Sequence, residues 1–197
     1  MDRQGDLHYS SDPSMILMSE FYTIPSGVTH TLVKHTFITG SVLVPFDPDL
    51  TLSTELKRHN YTVTTNTDIE NITDPNWWVG MREQAFDWVI CSTMGLKSLS
   101  EFILEYGMNI ATNGVAVLDR LSFIEPVARR RTFLLKNKLS NMVVLSPRPR
   151  FRSIGSTKDS VTACWFVFQK PELWRDGTMI SYAVNWEDIG ALPELPT

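Results

Sequence analysis

The segment Asp87–Ser98, DWVICSTMGLKS, decides the fold. Asp87 and Trp88 lead into Val89-Ile90-Cys91, a continuous apolar run of the length of a buried strand. A helix opens near Leu96, and LKSLSEFILEYGM carries an apolar face at helical spacing as far as Met108. A buried strand that passes through a tight turn into a helix is the unit of an α/β sheet. The point just past such a strand is where these sheets hold their ligands. Here that point is Ser92-Thr93-Met94-Gly95, which offers no obvious catalyst.

The unit repeats on either side. PSGVTHTLVKHTF (Pro25–Phe37) has Val28, Leu32, Val33 and Phe37 at helical spacing, with Ser26 as the expected cap. GSVLVPF (Gly40–Phe46) is a buried strand, LTLSTELKRHN (Leu50–Asn60) a helix and YTVTT (Tyr61–Thr65) a strand. DPNWWVGM (Asp74–Met81) is a turn or short helix. Beyond Met108 come a strand in NGVAVLDRLSF (Asn113–Phe123), a helix in EPVARRRTFLLKNK (Glu125–Lys138) and a strand in MVVLS (Met142–Ser146). VTACWFVFQ (Val161–Gln169) is read as the final long strand; no helix precedes it, so it joins by a hairpin and runs antiparallel. The alternation predicts an α/β fold, a mostly parallel twisted sheet with helices on both faces. Residues 1–20 are expected to form an extended arm, 21–185 the domain and 186–197 a tail.

Composition narrows the class. The chain has 197 residues, 43% hydrophobic and 20% charged, which suits one soluble domain. No apolar run reaches the ~18 residues of a membrane helix, and the polar opening MDRQGDLHYSSDPS lacks the apolar stretch of a secretory signal. Cys91 and Cys164 sit in apolar strand-like runs, so free buried thiols and an intracellular setting are expected, and the sequons NYT and NIT are chance matches. Two cysteines and four histidines without ligand spacing give no metal site. The net charge of −4 argues against binding nucleic acid over the whole surface. Yet Asp119–Arg152 holds nine cations, Arg129, Arg130, Arg131, Arg148, Arg150 and Arg152 among them, against Asp119 and Glu125. That run is either a solvated face or a patch that meets a polyanion.

The element order, closed by a hairpin strand, resembles the Rossmann-like fold of S-adenosylmethionine-dependent methyltransferases. EFYTIPSGVTHTLVKH is similar to the opening of adenine-specific DNA methyltransferases of phages and bacteria, where an aromatic-Tyr-Thr-Pro-Pro run precedes a helix. That places Tyr22, Thr23 and Pro25 at the cofactor's edge. GSVLVPFDPDLTLSTELKRHNYTVTTNTDI resembles their first strand, glycine loop, helix and second strand. There Asp49 keeps the loop acid, and Asp68 matches the acid that would accept the ribose hydroxyls. The similarity runs from about Glu20 to Lys170.

The departures concern function. Where the family has Glu and two glycines around its cofactor loop, this chain has Val44, Pro48 and Leu50. Glycine lets bare backbone approach a ligand. Proline fixes φ and has no N–H to give, leucine adds bulk, and Asp47 adds negative charge beside a ligand that carries a carboxylate. The family's Asn-Pro-Pro-Tyr turn falls on Ser92, Thr93, Met94 and Gly95. Its amide acceptor, its stiff turn and the ring on which a flipped base stacks are all replaced. Losing the acceptor and the ring costs on the order of 1–3 kcal/mol each in binding, and a misplaced amine costs further in rate.

The resemblance therefore implies a catalytically degenerate methyltransferase of phage-type origin. No cofactor is expected, or S-adenosylmethionine if there is one. Its role would be that of a binding or assembly module with a protein partner or a second copy, in a host cytoplasm or a virus particle. Two alternatives stand beside it: an active adenine methyltransferase with an altered pocket, and a nucleic-acid-binding pseudo-enzyme, on DNA or RNA, that uses the basic segment. Trp77 and Trp78 either anchor a partner or cap the sheet edge. Phe151 between Arg150 and Arg152 either stacks on single-stranded bases or belongs to an arginine-rich surface loop.

Overall fold

The computed structural model describes residues 23–94, 100–125, 133–134, 136–151, 161–174 and 176–187. Helix α1 (Ser26–His35) leads into strand β1 (Ser41–Val44), and helix α2 (Thr51–Arg58) follows. Then come β2 (Thr62–Thr65), α3 (Ile69–Thr73), α4 (Pro75–Arg82) and β3 (Trp88–Ser92). Helix α5 (Ser100–Ile110) leads to β4 (Gly114–Arg120), a 3-10 turn (Leu121–Ile124), β5 (Lys138–Ser146), β6 (Ala163–Gln169) and β7 (Met179–Val184).

The seven strands form one sheet in the order β2-β1-β3-β4-β6-β5-β7. Neighbours pair parallel through β2, β1, β3 and β4, and β5 pairs parallel with β7. Among the described strands β6 alone runs the other way, antiparallel to β4 and to β5, as the sequence predicts. It is not the last strand: β7 follows and extends the sheet beyond β5, which the sequence reading missed. Trp186, assigned there to the tail, is buried, and its Nε1 donates to the Pro147 carbonyl at 2.5 Å.

Successive side chains of a strand point to opposite faces, and the core divides accordingly. Val42, Val44, Trp88, Ile90, Ala116 and Leu118 meet Val28, Leu32, Leu52 and Leu56 of α1 and α2 on one face. Leu43, Val89, Cys91, Val115 and Val117 meet Trp78, Ile103, Leu104 and Met108 of α4 and α5 on the other. Both cysteines are free and buried.

Local chemistry sets the element ends. Ser26 is not the cap of α1: Pro25 holds that position with no side-chain bond, and Ser26 is the first helical residue. Asp74 caps α4 through the Asn76 amide, with Pro75 in the first turn. Gly40 turns into β1 at φ +91°, and a Cβ there would lie 2.1 Å from Asp87 Oδ2. That carboxylate fastens the start of β1, accepting from Ser41 N at 2.7 Å and Ser41 Oγ at 2.9 Å. No helix among the described residues is long and apolar enough to cross a membrane.

Candidate functional site

The parallel strands β1, β2 and β3 end side by side, so Val44, Thr65 and Ser92 bring the loop after β1, the loop after β2 and the Ser92 turn to one end of the sheet. The loop after β1 turns inward. Pro45, Phe46 and Asp47 are buried, while Pro48, Asp49 and Leu50 are exposed. Leu50 adopts the left-handed conformation at φ 59° and ψ 15°, immediately before α2. That reversal carries the Asp47 carboxylate over the helix end. It accepts from Ser53 N at 2.7 Å, Ser53 Oγ at 2.6 Å and, more weakly, Leu52 N at 3.4 Å. The first turn of a helix presents unpaired N–H groups and favours negative charge; here the protein's own carboxylate fills that position. Burial pushes the Asp47 pKa up, and the bonds from Ser53 only partly offset it.

Asn66 ties the ends of β1 and β2 together. Its N–H donates to the Val44 carbonyl at 3.0 Å and its carbonyl accepts from Asp47 N at 2.9 Å. Its side-chain amide donates to Pro45 O at 2.9 Å. Asp68 is exposed and caps α3, accepting from Glu70 N at 2.9 Å. Asp49 is exposed and accepts from Thr51 N at 3.2 Å and Thr51 Oγ1 at 2.9 Å. Thr23 is exposed, and Pro25 is half-buried at the start of α1; Tyr22 lies outside the described residues.

The turn after β3 also faces inward. Thr93 is 1% exposed and Met94 5%. Thr93 Oγ1 donates to Asp119 Oδ2 at 2.5 Å, and Thr93 N donates to the Leu118 carbonyl at 3.0 Å, so the turn is pinned to β4. Ser92 Oγ is buried without a hydrogen-bond partner among the described residues. Thr93 and Met94 are thus turned into the protein, and of the three only Ser92 keeps a side-chain oxygen without a partner among the described residues. Gly95 lies outside the described residues.

The remaining candidates disperse. Trp78 is 1% exposed, inside the α4–α5 core, with Nε1 donating to the Ile72 carbonyl at 3.0 Å. Trp77 packs edge-on against it. Phe151 is 1% exposed, in the core on the α1 side of the sheet. Neither Trp78 nor Phe151 is open to a base or a partner. Arg148 and Arg150 are exposed; Arg129, Arg130, Arg131 and Arg152 lie outside the described residues. No group of three His, Cys, Asp or Glu among the described residues could hold a metal ion.

Three features of this end of the sheet escape a reading of the sequence. Asp47 reads there as a loose charge, Asn66 carries no signal, and the Thr93–Asp119 bond joins residues 26 positions apart. A groove of about 810 Å³ at the opposite end of the sheet, bordered by Phe37, Trp88, Asn113, Asn141, Gln169 and Met179, escapes it too.

No protein-family model matches the chain, and no curated protein matches it. Solved structures do. One, described as a class I S-adenosylmethionine-dependent methyltransferase from Listeria monocytogenes, superposes with a TM-score of 0.57 at 11% identity, over 84% of this chain and 67% of that one. The chain has the methyltransferase fold. A second, described as an O-methyltransferase from Agrobacterium tumefaciens, gives a TM-score of 0.49 at 12% identity, over 82% of this chain and 86% of that one. The methyltransferase fold implies S-adenosylmethionine near the loop after β1. As they stand, the residues there do not fit it. The amides of Leu52 and Ser53 are taken by Asp47 and Asn66 closes the loop onto β2, while Asp49 and Asp68 stay exposed, each bonded through one carboxylate oxygen to its own following turn.

Proposed function

We propose that this chain is a catalytically silent methyltransferase-fold protein that acts by binding, as a module joined to a protein partner or to further copies of itself. We also propose that it descends from an adenine-specific DNA methyltransferase of phage type and works in a host cytoplasm or a virus particle. One observation carries the silence: the Asp47 carboxylate occupies the amide end of α2, where an acidic ligand would otherwise sit. The inward-turned Thr93 and Met94 after the half-buried Ser92 support it from the substrate side. Two separate losses, one at the cofactor loop and one at the turn, favour lost chemistry over shifted specificity.

Calorimetry with S-adenosylmethionine and with its demethylated product, at millimolar ligand, tests this. No heat and no thermal shift are expected; a saturable isotherm overturns the proposal. The variant Ser92→Asn, Thr93→Pro, Met94→Pro, Gly95→Tyr is expected to stay inactive, because it leaves the loop after β1 unchanged. Methyl transfer by that variant, or by the natural chain on adenine-containing DNA, favours the active-enzyme alternative. With Phe151 buried, a nucleic-acid role would rest on exposed cations such as Arg148 and Arg150 alone. Such binding would weaken steeply with salt in a mobility-shift assay.

A further inference from the structure

Among the described residues strand β7 ends the sheet, with β5 as its strand neighbour. Its sequence, MISYAV, carries no charge and no proline, the residues with which natural edges discourage pairing. Ala183 faces the core at 3% exposed, whereas Ile180, Tyr182 and Val184 on the opposite face are 54%, 66% and 67% exposed. The backbone shares this polarity. Asn185 N donates to the Ser146 carbonyl at 2.8 Å, so the odd-numbered residues of β7 bond toward β5. Because the direction alternates along a strand, Ile180, Tyr182 and Val184 direct their N–H and C=O groups away from β5. The same three residues thus present apolar side chains and pairing groups along one edge.

We propose that this edge pairs antiparallel with β7 of a second copy, about a two-fold axis through Tyr182. This rests on the assembly half of the proposed function and names the partner. The register follows from the pattern. Tyr182 lies opposite Tyr182 and Ile180 opposite Val184, so the apolar side chains meet on one face and the outward groups bond to their counterparts. Any other strand would have to match an edge that this strand matches by symmetry. The partner's residues 185–187 then lie beside Gly177, Thr178 and Met179, which border the groove at the end of the sheet. At about 200 Å² per large side chain, the three bare side chains offer on the order of 350 Å² per copy. The strand edge and groove rim bring the contact to the range of weak interfaces, below about 1,200 Å² in total. The dimer is therefore concentration-dependent.

Sedimentation velocity and light scattering on the full chain, up to millimolar, are expected to show mass rising from one chain to two. Tyr182→Lys sets like charges face to face and is expected to weaken association at least tenfold with an unchanged far-ultraviolet spectrum. In a second variant, Tyr182→Cys, oxidation or a short bis-thiol reagent is expected to give a covalent dimer while buried Cys91 and Cys164 stay silent. A monomer at every concentration overturns the proposal. So does a dimer that persists in Tyr182→Lys or fails to cross-link at position 182. A monomer in which the thiol introduced at position 182 is shielded from alkylation also overturns it, and assigns the edge to another segment of the same chain. Binding of S-adenosylmethionine would defeat the silent-chemistry proposal and leave this one standing, while loss of the dimer leaves the cofactor titration untouched.

Discussion

Replacing Asp47 by Ala tests the contact on which the reading of the site turns. The carboxylate is 3% exposed and makes two strong bonds, both to Ser53, and one weak one to Leu52. Removing a capping group costs about 1 kcal/mol, up to ~2. Ser53 is itself 2% exposed, so its abandoned N–H and hydroxyl add a share of the ~1–3 kcal/mol penalty for buried unpaired donors. Against this, removing a carboxylate whose burial disfavours its charge recovers part of the loss. The balance is about 2 kcal/mol, or a fall in Tm of about 4–8 °C for a domain of this size. Urea and thermal melts measure it. Asp49→Ala is the control: that side chain is exposed and bonded only within its own turn, so its effect stays within about 0.5 kcal/mol. The pH dependence adds a second readout. Because the folded pKa is raised, the Asp47 contribution is fully present below the ordinary value near about pH 4 and is lost as pH rises through the folded value. The gap between the natural chain and the Ala variant is thus widest in acid and narrows toward neutrality. A drop in Tm under about 2 °C refutes the assignment of Asp47 as the buried cap, whereas a gap that widens with pH shows that the Ser53 bonds outweigh burial in setting its pKa.

Phe151→Ala is expected to cost about 3–5 kcal/mol as a core truncation, while Arg148→Ala and Arg150→Ala stay within about 0.5 kcal/mol; urea melts separate these, and a mild Phe151 effect would return the ring to the surface. Asp87 has a lowered pKa, chiefly through the Ser41 N–H, with the Ser41 and Thr112 hydroxyls assisting against burial. Its stabilisation is therefore present above the ordinary carboxylate value and lost as pH falls through the folded one. Asp87→Asn should flatten the acid limb of the stability profile, and an unchanged limb in melts across acid pH would remove Asp87 as the clamp on β1.

The sheet was legible where burial on both faces leaves an uninterrupted apolar run, as in Val42–Val44, Val89–Cys91 and Val115–Leu118. Strand β7 escaped for the opposite physical reason. At an edge one face is bare, so Met179–Val184 shows neither a buried run nor a polar alternation. The loop after β1 was legible as altered but not in how it is used. That Asp47 caps α2 depends on the reversal at Leu50, a conformation disfavoured for leucine that no residue type in the loop announces. Phe151 shows a signal that was present and weighed wrongly. Arg150 and Arg152 on either side suggested an aromatic held among cations, either on a surface that grips single strands or in an arginine-rich surface loop. In the folded chain Arg148 is exposed, Pro149 buried, Arg150 exposed and Phe151 buried. That is the two-residue alternation of an extended segment lying on a core, and it sends the ring to the side opposite the charges. In extended chain, charges that flank an aromatic at i−1 and i−3 place it inside, whereas a ring shared with a cationic surface needs even spacing from them.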